Sequence, residues 1–244
     1  MRILLALALS VFFATPSFAQ TTPDPWDVRL ELGFNGAAGN SSFAILRTGA
    51  SAKHIADNRY SLDFSTVVRY GRSHGDVIAN DAAASVKVDW RPRSRLSPFL
   101  FVDALRDEVR RLDFQTNGGV GARWTLLDGS RRELAVSLAA LWDYQAFASS
   151  GQAQDPSSES RGRWSVSSKA SRKIGGVSVE NRAVFQPVWD DFHDYVVQVT
   201  TKLSTKLLED LSLAMEHLYL HDEVPPPGAG PDDQKFSILF QFAL

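Results

Sequence analysis

The feature that most limits what this chain can fold into is an alternation of period two that recurs along its length. From residue 26, Trp26, Val28, Leu30, Leu32 and Phe34 alternate with Asp27, Arg29, Glu31, Gly33 and Asn35. Successive side chains of a strand point to opposite faces, so such a segment carries one apolar and one polar face. A helix with this spacing would scatter its charges around the whole circumference. The pattern returns at residues 60–70, 81–90, 112–124, 133–145, 163–170, 177–189, 195–206, 211–219 and 236–244. Two further segments fit less well. Small residues fall on both faces of 43–54, and Leu100 and Val102 break the parity of 98–107. A bulge or a covered inner patch accounts for either case. The reading is all-β, with about twelve strands.

Composition narrows the class. The chain has 244 residues, a formal net charge of −2, no cysteine and 44% hydrophobic residues. Near-neutral charge argues against a general nucleic-acid binder. The missing cysteines exclude a disulfide framework, a thiolate metal site and a cysteine nucleophile. At the N-terminus, Arg2 precedes an apolar run over residues 3–14 and a small-residue site, Ser17-x-Ala19. That order predicts a cleavable signal peptide over 1–19. A short segment, 20–25, then leads into the β-rich unit, 26–244. No later apolar run is long enough for a membrane helix, which needs about 20 residues. An exported β protein is then either a soluble sandwich or a membrane barrel.

Turn signals, loop lengths and tryptophans favour the barrel. Gly39-Asn40-Ser41, Asp57-Asn58, Asp128-Gly129, Gly175-Gly176 and Glu209-Asp210 separate the strands. Longer connections at 73–80, 148–160 and 222–234 alternate with short ones. Long outer loops, short inner turns and an even strand count are the outer-membrane pattern. Trp26, Trp90 and Trp124 fall near strand ends on one side, and Trp142, Trp164 and Trp189 near the opposite ends, all on the apolar parity. Indole prefers the headgroup level, so these six form the expected aromatic girdle. A sandwich would bury them mid-strand. In hydrocarbon no sheet edge can stay open, so the first strand must pair with the last. The fold expected is a single up-and-down antiparallel transmembrane β-barrel.

The polar parity then lines a lumen. Its expected residues are Arg29, Glu31, Asp63, Arg69, Lys87, Asp89, Arg123, Glu133, Lys169, Glu180, Arg182, Lys202 and Glu216. Acids and bases are nearly balanced along this face, which suits either a narrow pore of little charge selectivity or a salt-bridged lumen that plugs itself.

Several motifs, taken in order, carry a family resemblance. They are Leu32-Gly33 with Gly39-Asn40-Ser41, Phe99-Leu100-Phe101, Arg106-Asp107, Leu112-Asp113-Phe114, Gly119-Val120-Gly121-Ala122-Arg123, Pro225-Pro226-Pro227-Gly228 with Asp232, and Leu239-Phe240-Gln241-Phe242. Together they resemble the domain of unknown function 481 (DUF481) family, described as YdiY-like, salt-induced outer-membrane proteins. Ser41 stands where the family usually has Thr. The chain ends Phe242-Ala243-Leu244 rather than on an aromatic residue, the usual assembly signal. The resemblance implies location in the outer membrane of a Gram-negative bacterium and supplies no activity.

The expectation is a monomeric, porin-like or osmotic-stress-related envelope protein, without catalytic residues, cofactor or metal. Its partners would be outer-membrane lipid, lipopolysaccharide and the barrel-assembly machinery, not nucleic acid. A closed structural barrel that binds lipid or a partner through its outer loops is the alternative. A phospholipase-like hydrolase is a further one. It needs a hydroxyl beside a histidine base, and Ser73-His74, as strand neighbours, would point oppositely. Asp190, Asp191, His193 and Asp194 read as a solvated loop rather than a metal cluster. Arg106, Asp107, Glu108, Arg110 and Arg111 read as a charged outer tip that could meet lipopolysaccharide phosphates. Gly118-Gly119-Val120-Gly121 reads as a place where strands bend or pack closely rather than a phosphate loop.

Overall fold

The computed structural model describes residues 26–37, 42–56, 59–148, 158–226 and 229–244. The expected signal peptide, the segment 20–25, the turn signals at 39–41 and 57–58, most of the 148–160 loop and Pro227-Gly228 lie outside them.

The strands follow one another around a single closed sheet. They are β1 (Trp26–Ala37), β2 (Phe43–Ala56), β3 (Tyr60–Ser73), β4 (Asp76–Trp90), β5 (Leu96–Asp107) and β6 (Leu112–Gly129). The second half continues with β7 (Arg132–Phe147), β8 (Ser158–Ile174), β9 (Val177–Pro187), β10 (Tyr195–Lys206), β11 (Leu211–Asp222) and β12 (Asp232–Ala243). Each pairs antiparallel with its sequence neighbours, and β1 pairs with β12 through Leu30↔Phe242 to close the barrel. No helix among the described residues is long and apolar enough to cross a membrane.

Strand parity explains the two faces. Leu62, Phe64, Val68 and Tyr70 of β3 lie opposite His54, Ala52, Thr48 and Leu46 of β2 on the outer face. Asp63, Ser65 and Arg69 face the enclosed side beside Lys53, Ser51 and Arg47. Large apolar residues of the outer parity stay open: Phe64 is 43% exposed, Leu138 57% and Val120 64%. A soluble protein would cover so continuous an apolar surface.

Three features depart from the sequence reading. The expected 73–80 loop is a two-residue turn, with His74 at φ 50° and Gly75 at φ 97°, and β4 already begins at Asp76. Two consecutive left-handed residues give the tight hairpin whose twist matches the strands. At the start of β6 the register slips between Leu112 and Phe114. Leu112 therefore turns inward and is buried, while Asp113, expected on the polar face, falls at the bulge and is exposed. Strands β6, β7 and β8 have 18, 16 and 17 residues. That exceeds the roughly 9–11 a tilted membrane strand needs. Trp124, Trp142 and Trp164 consequently lie within these strands rather than near their ends.

The poor alternation of 98–107 also resolves. Phe99 and Phe101 occupy the enclosed face, opposite Gly121 and Gly119 of β6. A Cβ on Gly121 would stand 2.7 Å from the Phe99 ring, and one on Gly119 would stand 2.8 Å from the Phe101 ring. The two rings thus lie close against a wall thinned by glycine, with Ala139 and Leu141 of β7 buried beside them. Gly119 and Gly121 are there for close packing.

Candidate lumen and its ion-pair layers

The rim carrying Trp26, Trp90 and Trp124 is called the near rim here, the opposite one the far rim. On the enclosed face near the first rim, Asp89 is 1% exposed, with Lys87 at 3.1 Å and Arg123 at 3.4 Å. Arg123 also donates to the Pro92 carbonyl at 3.1 Å, which ties the β4–β5 turn to the wall. The Lys87 ammonium stands 4.5 Å over the Phe99 ring, a cation–π contact that keeps a lysine in a partly apolar setting. Lys53 pairs with Asp63 at 3.0 Å, Arg29 with Asp27 at 2.7 Å and Lys169 with Glu133 at 3.1 Å.

Midway along the barrel, Arg47 of β2 is the hub. Its guanidinium reaches Glu216 of β11 at 2.6 Å and Glu31 of β1 at 3.2 Å. Glu31 also accepts from Lys202 at 3.1 Å and from Gln241 at 2.5 Å. Five strands are thereby linked from inside, two of them across the closing seam. Gly49 makes room for this group: a Cβ there would stand 3.4 Å from the Glu31 carboxylate. Arg182 and Glu180 face the same interior from β9, beside Lys169, Ser171, Thr200 and Lys202.

Toward the far rim some pairs join neighbouring strands and others cross the interior. Arg69 meets Asp81 at 2.8 Å. Lys235 of β12 lies 3.7 Å from Asp81 of β4, 3.5 Å from Asp107 of β5 and 3.3 Å from Asp233. Arg110, just beyond β5, reaches Asp222 at the end of β11 at 3.0 Å, nearly opposite in the barrel. Arg163 lies 3.4 Å from Asp143 and donates to Asp194 at 3.1 Å, and Arg161 also pairs with Asp194. A cavity of about 340 Å³ lies in the barrel interior, and one of about 920 Å³ opens toward the far rim. Arg69, Asp107, Arg110, Asp233 and Lys235 line both. One layer of side chains therefore separates the two spaces.

All thirteen residues expected on the polar parity stand on the enclosed face by register. Sequence reasoning missed Arg47, Asp103, Arg110, Arg161, Asp194, Asp222 and Lys235. Strand parity alone would have found Asp103, beside Asn117, and Lys235, beside Leu218. Arg110 and Asp194 come from turns, Arg161 and Asp222 from the far-rim ends of β8 and β11, and Arg47 from the weakly patterned β2. Asp194 is not part of a merely solvated loop: it is buried under two arginines. The charged tip divides, with Asp107 and Arg110 turned inward and Arg106 on the outer parity.

On the outer face the six tryptophans form two sets. Trp189 packs its ring against Gly162 and lies 6.1 Å from Trp142 and 6.0 Å from Trp164. Trp26 lies 4.8 Å from His54, which lies 6.0 Å from Tyr60, and Tyr60 is registered with Trp90.

Histidines offer no complete hydrolytic set among the described residues. His221 sits between Asp232 at 3.0 Å and Glu223 at 3.2 Å, so carboxylates occupy both ring nitrogens. The nearby Tyr219 hydroxyl donates to Asp232 instead. Ser73 and His74 do touch, at 3.2 Å, because His74 has left the strand for the turn. The Ser73 hydroxyl, however, donates to the Ser42 carbonyl at 3.0 Å. No group of His, Asp and Glu among the described residues is arranged to hold a metal.

Residues 30–243 match the family described as "Protein of unknown function, DUF481". No curated protein matches the sequence. Among solved structures, the barrel is similar to the NanC porin, at 12% identity and TM-score 0.54, covering 89% of this chain and 100% of that one. It is also similar to an outer membrane channel from Pseudomonas putida F1, at 9% identity and TM-score 0.51, covering 95% and 100%. At such identities the likeness is one of fold, that of outer-membrane β-barrels.

Proposed function

We propose that this chain, which belongs to the DUF481 family, is an outer-membrane barrel whose wet, charge-paired lumen is a narrow passage for small hydrophilic solutes and ions. The observation that carries the reading is the pair of cavities separated by one layer of ion pairs. A barrel filled as a structural core would replace that layer with packed apolar side chains. Lys235, which among the described residues has no carboxylate closer than 3.3 Å, can instead exchange partners with water and salt. Opposite charges at one constriction favour neither cations nor anions strongly.

Location in the outer membrane, export by a cleaved signal peptide, and contact with lipid and lipopolysaccharide belong to the same reading. The apolar outer parity supports it, as do the two tryptophan sets, which would mark the headgroup levels. The reading involves no catalytic step.

A closed resting lumen is the second reading, favoured by Arg110–Asp222 and Lys235–Asp107, which span the barrel. Planar-bilayer recording of the purified chain separates the two. The passage predicts small current steps that grow when Lys235→Ala and Asp107→Ala are combined. Silent membranes for both proteins, at high protein load, would leave the closed barrel.

A further inference from the structure

The seam that closes the barrel is only half zipped. The β1–β12 ladder runs from Arg29↔Ala243 to Gly33↔Leu239 and stops. On its other side β1 pairs with β2 along its whole length, from Trp26↔His54 to Ala37↔Phe43. β12 likewise stays paired with β11 as far as His221↔Asp232. Beyond Gly33, among the described residues, the seam is held by one side chain. The Asn35 amide donates through Nδ2 to the Phe236 carbonyl and accepts through Oδ1 from the Ile238 amide at 3.2 Å. A side chain standing where a strand-to-strand ladder would run keeps the two strands apart.

The larger cavity lies against this gap, and residues of both parities line it. Phe34, Phe236 and Ile238 belong to the outer face and are 63%, 66% and 47% exposed. Ile45, Asp81 and Lys235 belong to the enclosed face. One cavity that touches both faces of a wall lies where the wall is open. Its apolar side continues through Phe43 and Val109. Its floor carries both signs, Arg69, Arg110 and Lys235 with Asp81, Asp107 and Asp233.

We propose that the far half of the β1–β12 seam is a lateral portal between bilayer and lumen, and that it binds a single-chain zwitterionic amphiphile of the lysophospholipid class. The alkyl chain would lie along Phe34, Phe43, Ile45 and Phe236. The phosphate would face Lys235 and Arg69, and the ammonium Asp107 and Asp233. The mixed floor matches a head that carries both charges better than a simple anion, which the carboxylates would repel. A strand edge in hydrocarbon calls for polar partners, which a bare lipid tail cannot supply and a polar head can. The volume, about 920 Å³, lies within the ~300–1,000 Å³ usual for small-ligand sites. The proposal rests on the membrane reading above.

The native chain contains no cysteine, so a fluorophore can be attached at chosen positions of β2 in the full chain. Leu46→Cys reports the outer face, Ile45→Cys the portal and Ser51→Cys the enclosed face nearer the other rim. Ala79→Cys, on β4 beside the cavity, is a second portal reporter should Ile45→Cys not fold. Each labelled protein, in phosphatidylcholine vesicles, is titrated with a chain-brominated lysophosphatidylcholine. Quenching is expected at Leu46→Cys, saturable quenching at Ile45→Cys or Ala79→Cys, and none at Ser51→Cys. Adding Lys235→Gln should raise the half-saturating concentration about tenfold, as loss of one charge-assisted contact does. Portal positions that behave like Ser51→Cys while Leu46→Cys is quenched would overturn the portal alone. An unquenched Leu46→Cys would overturn the membrane reading beneath it. Unchanged half-saturation in the Lys235→Gln protein would overturn the assigned head contacts.

Discussion

Replacing Arg47 by methionine removes the hub of the mid-barrel network. The guanidinium lies 2.6 Å from Glu216 and 3.2 Å from Glu31, and the three side chains are 9%, 18% and 16% exposed. At an effective dielectric near 20, two unit charges ~4 Å apart attract by about 4 kcal/mol before desolvation is counted. Breaking a buried pair typically costs ~3–5 kcal/mol, since the remaining charge is stranded. Glu31 keeps Lys202, but among the described residues Glu216 has no second cation within ion-pair distance. Both carboxylates keep some contact with lumen water, which places Arg47→Met near the lower end, about 3 kcal/mol. Combining it with Glu216→Gln should restore most of that loss, because the stranded charge is gone. Arg182→Met serves as control: that side chain is exposed to the lumen, and its loss should cost under about 1 kcal/mol. Urea unfolding in lipid vesicles, followed by tryptophan emission, reads these three variants, Glu216→Gln alone and the unsubstituted protein. Equal midpoints for Arg47→Met and Arg182→Met would refute the buried-hub reasoning. So would a double variant whose loss equals the sum of its parts.

Other substitutions test the two faces and the packing. Leu138→Arg, on the outer parity of β7, should cost about 2–4 kcal/mol in the same unfolding assay, the range for a cation near the bilayer midplane. Lys169→Ala, an enclosed-face residue 42% exposed in its pair with Glu133, should cost under about 1 kcal/mol. Gly121→Ala would push a methyl to 2.5 Å from the Leu138 carbonyl and 2.7 Å from the Phe99 ring. A loss of about 1–3 kcal/mol is expected, against little change for Gly118→Ala, which meets nothing within 4 Å. Gly162→Ala drives a methyl into the Trp189 ring and should weaken the near-ultraviolet circular dichroism of the Trp142–Trp164–Trp189 group.

The alternating segments were legible because one face of each strand is uniformly oily, a pattern that side-chain period alone imposes. Three kinds of feature were not. In β5, Phe99 and Phe101 put oily side chains on the enclosed face, which only their fit over Gly119 and Gly121 explains. In β2, Arg47 sits among small residues whose parity carries little signal, and the nearer of its two carboxylates, Glu216, comes from β11, distant in sequence. At the far rim, Arg110, Asp194 and Asp222 act from turns or strand ends, where backbone direction, not alternation, decides where a charge points. The half-zipped seam was also invisible. Residues 26–35 alternate without interruption, and nothing in that pattern says the ladder to β12 ends at Gly33.

The account stands or falls on the environment of adjacent residues in one strand. Single nitroxide labels from Val197 to Ser204 of β10, in reconstituted vesicles, would be read by their collisions with oxygen and with a water-soluble nickel complex. Val197, Val199, Thr201 and Leu203, on the outer parity, should meet oxygen, and Gln198, Thr200, Lys202 and Ser204, on the enclosed face, should meet nickel instead. The two collision profiles should alternate out of phase with a period of two residues. Profiles that rise and fall together, or a strand equally open to nickel on both parities, would contradict a barrel with lipid outside and water within.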